Sequence, residues 1–234
     1  MKYSNETWRA CALCMLAALA MTTGCQNKPT ETADSTNAAT DSVVAESPLD
    51  NAVVRAIMDR RSVRKYKPEP VPKEMLDVIL HCGINAPNAM NEQRWEVRVT
   101  NSKAFIDGVT KVFVESAEND ERVQKLVKNP DFHNMFRNAP TVIFVAGKAD
   151  EKSSPIDCGM LGENIMLAAQ SMGLGTCCLG SAAGFLNSNP GAANYLKQLA
   201  FSDGYELLYA IAIGYPDESP EAKPRDASKV RYIE

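Results

Sequence analysis

The chain has 234 residues, 45% of them hydrophobic and 23% charged, which is enough apolar material for a single globular domain with a real core. A net charge of −4 argues against a globally basic nucleic-acid binder, and two histidines far apart, His81 and His133, argue against an ordinary zinc site. No interior apolar run approaches the roughly 20 residues that cross a bilayer as a helix.

Residues 1–25 read as an export signal, with Lys2 and Arg9 before an apolar stretch, Ala10 to Met21, that is too short to span stably. The stretch ends Thr22-Thr23-Gly24-Cys25, which resembles a bacterial lipobox with threonine where an aliphatic residue is usual. Lipid on Cys25 would tether the chain to an envelope membrane without spanning it, on the periplasmic side or at the cell surface. Residues 26–48 are rich in Thr, Ala, Ser, Asn and Asp and read as a flexible tether. The folded domain is expected over residues 49–234.

Apolar residues at 49, 53, 54, 57 and 58 make a helical stripe that delivers a cationic cluster, Arg60-Arg61-Ser62-Val63-Arg64-Lys65. Pro68, Pro70 and Pro72 then force extended chain, so the cluster sits at a fixed edge. Guanidinium forks suit phosphate oxygens, whereas the plainer role is a basic helix C-terminus facing the helix dipole. Pro72 opens a second helix with Met75, Leu76, Ile79, Leu80 and Cys82 on its buried side, ended by Gly83. An amide-rich loop at 85–94 leads into an alternating strand, Trp95 to Thr100.

Ser102 caps a helix toward Ala117, with an exposed charged continuation to Lys128. The stretch from Pro130 to Arg137 reads as a loop or short helix. The unbroken apolar run Thr141 to Ala146 is a buried central strand. Asp157 to Met172 is the strongest helix, and Gly159 and Gly162 on it invite close approach by another helix. A loop over 173–181 encloses the short strand Thr176 to Leu179, whose adjacent Cys177 and Cys178 alternate faces and read as packed small residues rather than a disulfide. A small helix at 194–199, a buried strand at 205–214 and a last strand at 230–233 complete an α+β domain.

No serine triad, phosphate loop or three-glycine dinucleotide fingerprint is present. Instead, Arg60-Arg61-Ser62-x-Arg64, Ala86-Pro-Asn-Ala-Met-Asn-Glu-Gln-Arg-Trp95, Gly173-Leu-Gly-Thr-Cys-Cys-Leu-Gly180, Gly214-Tyr-Pro and Lys223-Pro-Arg225 occur in one order. That series resembles the nitroreductase family. The likeness covers about residues 50–234, with Asn88 where serine is frequent and Arg94 where proline is usual.

The resemblance implies a mostly antiparallel central sheet flanked by helices, in a homodimer whose C-terminal strand is exchanged onto the partner. It implies FMN at the dimer interface, NAD(P)H as donor, and a nitroaromatic, quinone or similar small acceptor reduced by a ping-pong cycle. Arg60, Lys223 and Arg225 would hold the phosphate, with Ser62 and Arg61 along the same edge. Arg64 would face the N1/C2 side of the ring. Pro87, Asn88, Ala89 and Asn91 would come from the partner, and Cys178, Leu179, Gly180 and Ser181 would lie beside the ring. No side-chain acid or base is required. Phe132 and Phe136 are candidate lid residues, against the plainer role of core packing. An FMN-storage lipoprotein, an anion-binding module, or dehalogenation or dehydrogenation with another donor stand beside this reading.

Overall fold

A computed structural model of the chain describes residues 48–233, so the leader and the Cys25 lipidation expected at residues 1–25, and nearly all of the tether expected at 26–48, lie outside the described residues. Strands β1 (Trp95–Thr100), β2 (Thr141–Lys148), β3 (Gly175–Leu179) and β4 (Tyr205–Gly214) form one antiparallel sheet in the order β1-β2-β4-β3. Strands β2 and β4 lie in the middle and carry apolar residues almost continuously, because both their faces are covered.

The two-residue side-chain period divides the core. Val142 and Phe144 of β2, with Ala210 and Ala212 of β4, point to one face. Ile143, Val145, Ile211 and Ile213 point to the other. Helices α3 (Lys103–Ser116), α6 (Gly180–Ser188) and α7 (Ala193–Gln198) cover the first face. Helices α2 (Lys73–Ile84) and α5 (Ser154–Ser171) cover the second. Phe105 and Phe136 both meet Phe144 edge-on, at ring separations of 5.9 and 5.8 Å. The remaining helices are α1 (Ala52–Asp59) and α4 (Glu121–Val127).

Local chemistry sets the helix starts. The Asn51 side chain accepts the Val53 and Val54 N–H groups at 3.0 and 3.1 Å to cap α1. Ser102 accepts the Phe105 N–H at 3.3 Å to start α3, as its position in the sequence predicts. Gly173, at φ +74°, turns the chain from α5 into β3.

Several expectations are corrected. Gly83 does not end α2, which runs to Ile84; a Cβ there would lie 2.6 Å from Ile165 Cγ1, so Gly83 lets α2 close on α5. Gly159 has nothing within 4 Å and Gly162 faces the Tyr209 ring, so neither receives a helix from among the described residues of this chain. Residues 173–181 are less a loop than β3 running into α6, which the stretch Gly180-Ser-Ala-Ala-Gly184 conceals by its small residues. The last strand expected at 230–233 does not form within this chain. That segment is irregular, with Tyr232 94% and Ile233 92% exposed.

Candidate active site

The prolines have the expected effect. After α1 the basic segment runs as an extended ribbon laid on the edge of the sheet, where Ser62 bridges Thr176 in parallel and Tyr66 bridges Pro216. The Val63 N–H donates to Thr176 O at 2.9 Å and the Lys67 N–H to Tyr215 O at 2.9 Å. The buried Tyr66 hydroxyl donates to Val63 O at 2.5 Å and lies 3.3 Å from Ala212 O. Burial pushes its pKa far above the ordinary phenol range, so it acts only as a neutral donor.

Gly175 makes this docking possible. A Cβ there would sit 2.8 Å from both Cβ and Cγ2 of buried Val63. The sequence places Gly175 in the loop that leads into the strand and in the family motif, whereas the fold uses it to seat the ribbon.

Docking places Arg60, Arg61, Ser62 and Arg64 along the first residues of β3, Gly175 and Thr176, and the charge of Arg60 reaches the Cys178 thiol further along the strand. Arg60 is half-buried, with Glu163 of α5 at a loose 3.7 Å. Arg61 donates to Met58 O at 2.7 Å and Arg60 O at 2.9 Å. Arg64 donates through Nη1 to Ser62 O at 2.9 Å, and its backbone N–H donates to the Glu218 carboxylate. The Ser62 hydroxyl has no hydrogen-bond partner among the described residues. Cys178, Gly180 and Ser181 are exposed at this edge, whereas Leu179 is buried beneath it. No side chain caps the start of α6, so its first-turn N–H groups are open to an anionic or electron-rich partner. Burial raises the Cys177 thiol pKa, and the nearby guanidinium groups of Arg64, Arg137 and Arg60 pull it the other way.

The other expected segments do not join this cluster within one chain. Pro87, Asn88, Ala89 and Asn91 lie over the first turn of α5, where the Ala89 N–H donates to Asp157 Oδ1 at 3.2 Å. Asn88 Oδ1 accepts the Gln93 N–H at 2.9 Å, and Met90, Asn91 and Gln93 all take positive φ. Arg94 clamps the end of this loop by pairing with Glu92 and, at 3.0 Å, with Glu151. Lys223 and Arg225 are exposed on the tail, where Arg225 donates to Lys223 O at 3.3 Å. Among the described residues no hydrogen bond or ion pair links the loop at 85–94 or the tail from 219 onward to the Arg60–Arg64 ribbon, although Glu218 just before that tail holds the Arg64 backbone.

The two lid candidates separate. Phe136 is completely buried in the core beneath Phe144 and is no lid in this chain. Phe132 is half-buried and lines a cavity of about 1030 Å³ next to Arg64.

The family model for the nitroreductase family matches residues 57–215, which includes the ribbon, the amide loop and all four strands. The chain belongs to the nitroreductase family. A relative in Vibrio harveyi, an NADPH-flavin oxidoreductase, is 29% identical over 186 residues, 75% of this chain and 70% of its own. A crystal structure of a nitroreductase with bound FMN from Desulfitobacterium hafniense superposes with TM-score 0.71 at 26% identity, covering 79% of this chain and 99% of that one. A nitroreductase from Bacteroides fragilis shares the fold at TM-score 0.69 and 24% identity, covering 79% of this chain and all of the other.

For this nitroreductase-family chain, sequence reading overlooked four groups at or near the site. Glu163 faces Arg60, Asp157 holds the amide loop, Glu218 holds the Arg64 backbone, and Arg137 lines the cavity. Helical spacing gave a partial signal for two of them. Asp157 and Glu163 lie on the strongest helix, and a buried aspartate in a first turn is a group in need of a partner.

Proposed function

We propose that this protein is an FMN-dependent oxidoreductase that passes hydride from NAD(P)H to a small nitroaromatic or quinone-like acceptor, working as a homodimer anchored in the cell envelope through Cys25. The observation that carries this reading is the seating of the basic ribbon, at Ser62 and Val63, on β3, the strand that runs directly into the uncapped start of α6.

The donor set fits the cofactor. Two guanidinium groups and a hydroxyl without a partner suit a phosphate monoester. A Cβ placed on Gly180 or Gly184 would have nothing within 4 Å, which leaves room for a flat ring over the helix start. Arg60, Arg61 and Ser62 would hold the phosphate, with Lys223 and Arg225 completing the grip. Arg64 and the Gly180 amide would face the ring. When bound, FMN supplies the centre that accepts and donates hydride. The chain's own residues position, hold charge and exclude water, and no side chain needs to transfer a proton. Donor and acceptor would occupy the same face in turn, which is the basis of the ping-pong reading.

Two features support the dimer. Among the described residues the amide loop, Lys223 and Arg225 make no hydrogen bond or ion pair with the ribbon, so a second chain would be needed to close the site. Val53, Ile57 and Met58 of α1 are more than half exposed, as are Tyr232 and Ile233, which is more apolar surface than a monomer needs to show. The tail would pair with the partner's sheet in the manner the resemblance implies. NAD(P)H is scarce outside the cytoplasm, so the exported enzyme would draw on a donor delivered to the envelope.

The test is an absorbance spectrum of the purified full chain with and without added FMN, followed by anaerobic stopped-flow. Flavin uptake and rapid bleaching by NADH or NADPH support the proposal. A protein that stays colourless with FMN refutes it, and flavin that binds but is never reduced leaves storage as the better reading. Sedimentation of the chain with and without residues 230–234 tests the dimer.

A further inference from the structure

The cavity of about 1030 Å³ lies between the ribbon, at Arg64 and Lys65, and the loop that leads into β2. Phe132, Met135 and Ile106 give it apolar wall, and Arg137 adds a guanidinium. The other cations on this wall are committed or lie on the ribbon itself. Arg64 donates to Ser62 O at 2.9 Å, and Lys103 pairs with Asp107. Arg137 has no hydrogen bond or ion pair among the described residues, although it is charged and borders a cavity.

The loop holds Arg137 in place. Asn138 Oδ1 accepts the N–H groups of His133 and Asn134 at 2.8 and 3.0 Å. Asn134 Oδ1 accepts those of Phe136 and Asn138 at 2.9 and 3.1 Å. Asn138 Nδ2 donates to Asp131 O at 2.5 Å, and Asn134 Nδ2 to Ala139 O at 3.3 Å. Phe136 and Ala139, on either side, are fully buried. Arg137 itself takes φ +60°, so its backbone is set by neighbours that cannot move independently. The fixed backbone brings the exposed Arg137 side chain to the rim of the cavity, while the guanidinium itself stays free to turn toward an anion.

We infer that Arg137 selects the acceptor: it docks a single carboxylate on an aromatic acceptor whose ring lies against Phe132 and Met135. This rests on the reading of the site as a flavin reductase. Arg64 serves the ring in that reading, which leaves Arg137 for the substrate. The wall also carries Asp131 and Asp217, so its total charge is close to balanced. A polyanion would meet those carboxylates, whereas a monocarboxylate on an apolar ring meets one guanidinium and apolar surface. Arg137 and Arg64 line the same cavity, so an acceptor docked on Arg137 would lie next to the cation that this reading assigns to the ring.

The experiment uses the full chain loaded with FMN and two isosteric probes, 4-nitrobenzoate and 4-nitrobenzamide. Charge-assisted hydrogen bonds are worth enough to give about a tenfold preference for the carboxylate in kcat/KM at low salt. Arg137→Gln is expected to remove that preference through KM, and Arg137→Lys to restore part of it. Bound flavin and the melting temperature, read on the same samples, identify a variant that has merely lost its fold. In that event, wild-type salt dependence replaces the variant: a preference that fades from low to high salt supports the inference, and one that does not overturns it. An equal preference in wild type and Arg137→Gln also overturns it. If wild type takes up no flavin, the reductase reading fails, and calorimetric titration of 4-nitrobenzoate into the flavin-free chain decides this inference alone. Binding that depends on Arg137 supports it, and absence of binding overturns it.

Discussion

Gly175→Ala is the sharpest test of how the site is built. The substitution adds one methyl at a strand position where alanine is sterically allowed, so backbone strain is not the issue. The added Cβ would stand 2.8 Å from Val63 Cβ and Cγ2 and 2.9 Å from Cγ1. Ordinary contact begins near 3.5 Å, so the ribbon must retreat by roughly 1 Å or Val63 must leave its pocket. Overpacking of this kind costs about 1–3 kcal/mol. Stretching the 2.9 Å Val63–Thr176 hydrogen bond adds about 0.5–1.5 kcal/mol. Removing a glycine from the unfolded chain returns about 0.4–1 kcal/mol. The net expectation is a loss of about 2 kcal/mol, a drop of roughly 4–8 °C in Tm for a domain of this size.

Because Arg60 and Ser62 move with Val63, FMN affinity should also fall, by about tenfold or more. Val63→Ala alone should cost about 2 kcal/mol as a buried large-to-small change. The double variant should cost little more than either single one, a coupling of about 2 kcal/mol between residues in contact. Urea melts of the four proteins, with flavin titration by fluorescence quenching, give both readouts. If the two losses simply add, or if Gly175→Ala is neutral in both assays, the seating of the ribbon has been misread.

Arg60→Gln should weaken FMN binding by about 10–100-fold with little loss of stability, since Arg60's one ionic partner, Glu163, lies 3.7 Å away. Glu163→Gln should tighten FMN binding, because a carboxylate beside the phosphate site opposes a dianion; equilibrium dialysis of both variants checks the pair. Phe136→Ala should cost about 3–5 kcal/mol in a urea melt, while Phe132→Ala should leave stability nearly intact and change acceptor KM. Burial raises the Glu96 carboxyl pKa, but hydrogen bonds from Ser202 and Arg98 outweigh it and hold the group below its usual 4.5. Its folded pKa is therefore depressed: its contribution is present above about pH 4.5 and is lost as pH falls through the folded value. Glu96→Gln should accordingly lower stability at neutral pH and flatten its decline below pH 4.5, seen by thermal melts from pH 7 to pH 3.

Much of the fold was legible in the sequence because the two periods differ so plainly. Alternation at Trp95–Thr100 and the unbroken apolar runs at Thr141 and Tyr205 identified three strands, and the wide apolar face of α5 identified the principal helix. Helix α6 was missed because glycine, serine and alanine carry almost no periodic signal, and α6 is held by packing of Ala182, Ala183 and Leu186 on the sheet. The aromatic roles were equally open, since a phenylalanine in a loop reads the same whether it turns inward like Phe136 or lines a cavity like Phe132.

The sequence by itself determined which residue types could serve an anionic cofactor, and where the chain must break from helix into extended ribbon. Those are local properties, set by side-chain chemistry and by prolines that fix φ. Only the tertiary structure decided who faces whom: Glu163 against Arg60, Gly83 rather than Gly159 or Gly162 as the point of helix approach, and Gly175 beneath Val63. It also set Arg137 on the wall of the cavity without a hydrogen bond or ion pair among the described residues. Such pairings join residues far apart in the chain, and they arise from close packing that no local pattern encodes.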